Sequence, residues 1–284
     1  MMNNFAVFIL THGRADKVYT WDLLKKAGYT GKIYIIIDNE DDQEPAYRDR
    51  FGDKVIQFDK AEIAKIFDEG DNTGDRRSIV YARNACFNIA RDLGIMYFME
   101  LDDDYTAFTF KMDGEFQAIH GANIHNLDVI IEMLLEYYKS IPAKSLAIAQ
   151  TGDFIGGLAN RNDVSINVRR KCMNTFICST ERPFQFVGRI NEDVNTYTSY
   201  QSLGNLFLTF PLLCIQQKPS QSNKGGMTEL YLDSGTYIKS FFSVMYHPSG
   251  VTVGLMGKHS RLHHHVNWNR TVPAIIREEY KITT

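Results

Sequence analysis

The sequence predicts an α/β protein, and three observations predict it. Short apolar runs alternate with stretches of helical periodicity through the first half of the chain, the order expected of a mostly parallel sheet with helices on both faces. Several of those runs end in polar residues, where an open α/β sheet binds its ligand, beyond the carboxyl ends of its strands. After Pro142 the texture changes to strand-like runs parted by Gly, Asn and Asp turns, so the C-terminal part of the sheet is expected to be mixed.

In order, Phe5–Leu10 reads as a strand, Lys17–Ala27 as a helix, Ile33–Ile37 as a strand, Val55–Phe58 as a short strand and Ala61–Phe67 as a short helix. Ile79–Leu93 is a longer helix, and Ile95–Met99 is the strand that leads into an acidic run. Leu127–Tyr138 places Leu127, Ile130, Ile131, Leu134, Leu135 and Tyr138 on one helical face. Leu146–Ala149, Val164–Val168, Thr175–Cys178 and Leu206–Ile215 are expected strands. Lys218–Gly226 is the most loop-like segment, either a mobile substrate loop or a linker. Residues 1–215 are expected to form the core, with 216–284 as an extension packed on it that completes an acceptor or metal site.

With 284 residues, 44% hydrophobic and 23% charged, the chain has the composition of a globular protein with a full core. A net charge of -3 means that a nucleic-acid partner would have to be held by local patches. The candidates are Arg76-Arg77, Arg169-Arg170-Lys171 and Lys258-His259-Ser260-Arg261, each of which reads first as a solvated basic face. The four cysteines form no C-x-x-C pair, which disfavours a zinc ribbon or a disulfide framework and suits reduced thiols. Without a secretory leader pattern or a membrane-length apolar run, the expected location is the cytoplasm. No glycine fingerprint or Gly-Lys phosphate loop follows the first strand, which disfavours dehydrogenases and P-loop nucleotidases.

The residues with most chemical potential begin at Asp102-Asp103-Asp104. Two carboxylates about 5 Å apart repel by about 3 kcal/mol at an effective dielectric near 20, and a divalent cation would offset that cost. In an extended strand Asp102 and Asp104 would share one face and Asp103 the other; the alternative is a solvated, helix-capping turn. Arg83 falls within the helical arc of Ile79, Ala82, Cys86, Ala90 and Leu93, so its guanidinium needs an anionic partner, either Asp102 or Asp103 or a bound pyrophosphate. Asn191-Glu192-Asp193 precedes a helix through Thr196 and Tyr200 and suits either capping or a general base. Gly156-Gly157 suits a close backbone approach or a tight turn. In an extended His263-His264-His265 segment, His263 and His265 share a face and could complete a metal shell, or belong to a surface run. Trp268 and the fifteen tyrosines could stack on a base or sugar, or fill the core.

In combination, Thr11-His12-Gly13-Arg14, Asp38, Ala82-Arg83-Asn84, Leu101 to Tyr105 and Glu192-Asp193 resemble a GT-A (nucleotide-diphospho-sugar transferase) glycosyltransferase over Phe5–Ser202. Ile9 to Arg14, Phe58-Asp59-Lys60 and Phe98 to Tyr105 resemble the TET-associated glycosyltransferases of bacteriophages. The resemblance implies a GT-A fold and transfer of a hexose or pentose from a nucleotide-diphosphate sugar, a UDP-sugar first, with manganese or magnesium; one base at Asp193 favours inversion, with retention left open. The implied acceptor is a hydroxymethylated pyrimidine, 5-hydroxymethylcytosine foremost, in phage DNA. Thr11, Gly13, Arg14 and Asp38 would cradle the nucleotide, and Arg83 with Asp102 or Asp103 would hold ribose and diphosphate. Asp104 and Asp102 would bind the metal, with His263 and His265 as candidates to complete it. Asp193 would be the base, with Glu192 beside it. An enzyme that flips a base or takes accessible strands needs stacking and phosphate contacts, for which Arg169, Arg170, Lys171, Lys218, Lys224 and Trp268 are candidates. The alternatives are a polysaccharide or protein acceptor, a nucleotidyltransferase, and a non-catalytic nucleotide-sugar or DNA-binding module; Thr11–Arg14 lacks the lysine-bearing loop that the nucleotidyltransferase would need.

Overall fold

The computed structural model describes residues 4–112, 118–150, 168–218, 235, 237–256, 261–275, 277–278 and 281. The predicted strand at 164–168, apart from Val168, lies outside the described residues, as do Gly156-Gly157, residues 219–226 and Lys258-His259-Ser260.

The first four strands are β1 (Phe5–Leu10), β2 (Lys32–Asp38), β3 (Val55–Phe58) and β4 (Tyr97–Asp102), which pair in parallel in the order β3-β2-β1-β4. All six residues of β1 are buried, the continuous apolar run of a parallel strand covered on both faces. Phe5, Val7 and Ile9 join one core with Leu127, Ile131 and Leu134 of the helix α5 (Leu127–Ser140). Ala6, Phe8 and Leu10 join the other with Val80, Ala85, Cys86 and Ala90 of α4 (Val80–Asp92). All four cysteines are free and buried.

The sheet continues with β8 (Phe176–Ser179), β7 (Ser145–Gln150), β9 (Phe207–Gln217), β5 (Tyr105–Met112) and β6 (Ala118–Asn123). Here only β7 and β9 are parallel; the other pairings are antiparallel. The α/β class and the change from parallel to mixed pairing are therefore as the sequence indicated. Two residues separate β4 from β5 in sequence, yet three strands separate them in the sheet. Four strand spacings in a flat sheet cover about 19 Å, whereas a three-residue step reaches about 10 Å. The sheet must curl so that its fourth and eighth strands meet at the turn joining them.

Three expectations need correction. The helices α1 (Tyr19–Lys26), α3 (Lys60–Ala64) and α4 fall within a few residues of their predicted bounds, but α2 (Glu44–Phe51) was not foreseen. Its buried residues are only Tyr47 and Phe51, too few for a periodic signal, although Pro45 in its first turn is a start signal. The strands β5 and β6 were also missed. Finally, β4 starts at Tyr97 and runs on to Asp102, because the polar Glu100 is buried within the strand against Arg83.

Toward the C-terminus, α6 (Glu192–Ser202) packs against α7 (Ile238–Tyr246) and α8 (Trp268–Thr271). The strands β10 (Val251–Met256) and β11 (Arg261–Val266) form a separate antiparallel hairpin against α7. Among the described residues, no helix is long and apolar enough to cross a membrane.

Candidate active site

The parallel strands deliver polar residues at one end of the sheet: Leu10 of β1 stands opposite Asp102 of β4, and Asp38 closes β2 opposite Phe58. In the loop after β1, Gly13 takes a φ of +66°, where glycine is favoured, and its N–H donates to Asp41 Oδ2 at 2.8 Å. His12 Nδ1 donates to Asp38 Oδ2 at 2.8 Å, while Lys60 Nζ, itself buried, lies 3.1 Å from Asp38 Oδ1. Burial pushes the Asp38 carboxyl up, but His12 and Lys60 outweigh it and hold the group below the usual range. The bond to Asp38 raises the His12 imidazole in turn. The Thr11 hydroxyl donates to Asp103 Oδ2 at 2.7 Å; its one proton being used, the Tyr47 hydroxyl donates to Thr11 at 2.9 Å and accepts the Arg14 N–H at 2.8 Å.

The three aspartates do not continue an extended strand. Asp103 and Asp104 form the turn between β4 and β5, which corrects the expected alternation, and a strand rather than a helix follows, which removes the capping alternative. Thr20 of α1 staples the turn: its hydroxyl donates to the Asp102 carbonyl at 2.6 Å and accepts the Tyr105 N–H at 3.0 Å, and its N–H donates to the Asp103 carbonyl. Asp103 is buried and pairs with Arg14 Nη1 at 3.1 Å. Lys218 N–H reaches the Asp104 carbonyl at 3.3 Å, and its ammonium lies 3.5 Å from the Tyr19 ring centroid.

Arg83 is 2% exposed and donates to three carboxylates: Nε to Glu192 and Nη2 to Asp102, both at 3.1 Å, and Nη1 to Glu100 at 3.4 Å. Its anionic partner thus includes Asp102, as one alternative held, while Asp103 pairs with Arg14 instead. One cation does not balance this set. Burial, opposed by Arg83, pushes Glu100 up to about 8 and Asp102 up to about 7, and burial beside Asp103 pushes Asp104 up to about 6. Glu192 is raised by burial and by its neighbour Asp193. Asp193 is buried at the first turn of α6, with Oδ1 accepting the Val194 N–H at 2.7 Å, and its charge also bears on Asp102. Asn191, the residue before α6, has a φ of 59° and makes no side-chain cap; its amide donates instead to Ser243 Oγ.

Among the described residues, no three His, Cys, Asp or Glu side chains converge as a metal-binding set. Asp102 and Asp104 nevertheless fit a divalent cation: both are oxygen donors, each raises the other or is raised by a shared neighbour, and the protein supplies too little positive charge for them. Among the described residues no such set joins His263 or His265 to that pair. Residues of β11 alternate, so His263 and His265 share one face while His264 turns inward, buried, with Nδ1 3.5 Å from the Asn191 amide nitrogen. Burial lowers His264 to about 3, helped by His263, Lys239, Lys171 and His265 around it. Trp268 stacks on Tyr197 at 5.9 Å and packs against the core.

Sequence reasoning gave no role to Glu100, His12, Lys60, Asp41, Tyr47 or Thr20. Lys60 could have been found in Phe58-Asp59-Lys60, a lysine directly after a strand and its capping aspartate. Glu100, a lone carboxylate inside an apolar strand, carried the same signal as Arg83.

Fold and site define the class: an α/β protein in which the parallel strands β2 and β4 end at carboxylates, Asp38 matched by His12 and Lys60 and Asp102 sharing one guanidinium with Glu100 and Glu192. The chain belongs to the TET-associated glycosyltransferase family, whose sequence pattern matches residues 5–226, and it is a glycosyltransferase. No curated protein matches it in sequence. Among solved structures it is similar to glucosyl-3-phosphoglycerate synthase from Mycobacterium tuberculosis. The form with magnesium and uridine diphosphate is 11% identical over 93% of this chain and 87% of the other, with a TM-score of 0.48. The form with manganese, uridine diphosphate and phosphoglyceric acid is 11% identical over 93% and 86%, at 0.46. A third, with manganese, UDP-glucose and phosphoglyceric acid, is 12% identical over 96% and 88%, at 0.44. The metals and nucleotides are those of the synthase.

Proposed function

We propose that the protein transfers a sugar, with inversion, from a nucleotide-diphosphate sugar to the hydroxyl of a hydroxymethylated pyrimidine in phage DNA. The observation that carries this reading is the Arg83 cluster: one buried guanidinium holds Glu100, Asp102 and Glu192, and Asp193 sits beside them. The family supports the transferase chemistry, and its TET association, carried by its name, favours a hydroxymethylpyrimidine acceptor.

In this reading the loop at Thr11, Gly13 and Arg14, with Asp38, receives the nucleotide. Arg83 fixes the position of Glu192 and therefore of the first turn of α6. Asp193, with one oxygen held by the Val194 N–H, uses the other to take the proton of the acceptor hydroxyl. The acceptor oxygen then bonds to the anomeric carbon as the bond from that carbon to the diphosphate oxygen breaks, its electron pair leaving with the diphosphate. A manganese or magnesium ion on Asp102 and Asp104 would neutralise the charge that develops there. Residues 1–215 form the core in this reading, and 216–284 complete its acceptor side.

The test is a donor screen: the protein with manganese, a panel of nucleotide-sugars and DNA containing 5-hydroxymethylcytosine, followed by digestion and mass spectrometry of the nucleosides. A pentose or hexose increment on the modified nucleoside is the expected result. Unmodified DNA with donor hydrolysis retained would remove the acceptor, and no reaction with any donor would remove the mechanism.

A further inference from the structure

We infer that His12 is the residue that selects the donor's nucleobase: its Nε2–H donates to an oxo group of the base, while Asp38 behind it holds the ring in place. This rests on the glycosyl transfer proposed above. It moves the base contact from Asp38 to His12 and favours a base that carries a carbonyl, as uracil does.

Asp38 has little left to offer a ligand. It is 4% exposed, and its oxygens are engaged from within. Oδ1 accepts the Glu40 N–H at 3.1 Å and lies 3.1 Å from Lys60 Nζ, and Oδ2 accepts His12 Nδ1–H at 2.8 Å. The His12 side chain, by contrast, is 43% exposed. An ionised carboxylate only accepts, so the proton of the bond between them sits on Nδ1. The other ring nitrogen, Nε2, therefore turns away from Asp38, and among the described residues it has no hydrogen-bond partner. Gly13 keeps the space beside it open, since a Cβ there would meet nothing within 4 Å.

Charge and placement decide which part of a donor meets Nε2. Asp41 Oδ2 lies 3.9 Å from His12 Nδ1, and Glu40 is held by Lys60 at 3.6 Å and by Arg76 at 3.2 Å. Asp38, Glu40 and Asp41, from the end of β2 and the loop after it, thus face His12 of the loop after β1, Lys60 of α3 and Arg76 before α4. With His12 protonated these charges cancel, so its N–H suits a neutral acceptor better than a phosphate. The bond to Asp38 favours that protonated form. Position agrees with charge. Leu10 of β1 stands between Ile36 of β2 and Asp102 of β4. Asp38 and Asp102 are therefore at least two strand spacings apart, about 10 Å. A nucleoside diphosphate with its phosphates at Asp102 and Asp104 spans that gap through its ribose and brings its base to β2. There a charged N–H meets the carbonyl oxygen, a stronger bond than one between neutral groups.

The experiment follows, by calorimetry with magnesium, the binding of UDP-glucose, ADP-glucose and inorganic pyrophosphate from about pH 5.5 to about pH 8.5, where a histidine titrates. It compares the wild-type protein with His12→Phe, His12→Gln and Asp38→Asn. Wild-type affinity for UDP-glucose should fall by about tenfold or more as pH rises through the His12 value, because the charged N–H donor becomes a lone pair. His12→Phe should bind weakly throughout. His12→Gln should bind with a flat profile, since its amide donates at every pH, and Asp38→Asn should move the fall to lower pH. ADP-glucose and pyrophosphate should show no fall that depends on His12. A wild-type UDP-glucose profile as flat as that of His12→Phe overturns the inference and leaves the transferase reading intact. An equal His12-dependent fall for ADP-glucose also overturns it, by putting the contact on the shared ribose, as does one for pyrophosphate, by putting it on the diphosphate. If no nucleotide-sugar of any base binds the wild-type protein, the transferase reading fails and the base contact falls with it.

Discussion

The two ends of the candidate site contrast in how they handle buried charge. At the carboxyl ends of β1 and β2 Asp38 meets His12 and Lys60, and its carboxyl is held below the usual range. At the Arg83 end one guanidinium serves three carboxylates, and Glu100, Asp102 and Asp104 are all pushed up. The first arrangement is electrostatically complete as it stands, whereas the second gains from added positive charge. In the proposed transfer the first would receive the nucleotide, and the second would stabilise the departing diphosphate, where added positive charge helps.

The largest effect that sharpens the contrast is on chemistry. Asp193→Asn should lower kcat by about 10²–10⁴-fold while donor affinity, followed by calorimetry, is kept; full turnover in this variant would take the base role from Asp193. Next is Arg83→Met, which leaves Glu100, Asp102 and Glu192 buried without their cation. Urea unfolding should show a loss of about 3–5 kcal/mol.

A pair of neutralising changes should differ in sign. A depressed carboxyl stabilises above its unfolded pKa, and that contribution is lost as pH falls through the folded value. At pH 7 Asp38→Asn should therefore cost about 1–3 kcal/mol. A raised carboxyl costs stability that builds as pH rises from about 4 to about 6 and is fully present above that, so Asp104→Asn should add about 1 kcal/mol at pH 7 without divalent metal. Two losses of similar size would erase the contrast. The smallest effect belongs to His12, 43% exposed at the side chain. Its raised pKa contributes stability below about pH 6.5 that is lost as pH rises through the folded value, so melting curves of His12→Gln should converge with those of the wild type at alkaline pH.

Much of the parallel half was legible because its strands are all-apolar and bounded by polar residues: the six buried residues of β1 left no other reading. Arg83 was legible too, since a charge within an apolar helical arc announces a buried partner. Its two other partners were not, because Glu100 and Glu192 lie 17 and 109 residues away, and only the fold brings them together. Helix α2 escaped for lack of apolar residues, and with it Tyr47, which links Thr11 to Arg14. The acidic run was legible as a site but not as a turn, since a string of aspartates carries no sign of where Thr20 will pin its backbone.

The join between β4 and β5 has a mechanical consequence. Strands four places apart in the sheet are spliced by two residues, Asp103 and Asp104, so the curled sheet resembles an open clasp whose two jaws meet at the acids. Any breathing of one jaw against the other is shared out over that splice, while Thr20 and Arg14 tie it down from the side. Hydrogen exchange at the amide of Tyr105 would therefore act as a strain gauge for the whole sheet, because its partner, the Thr20 hydroxyl, lies on α1, outside the sheet.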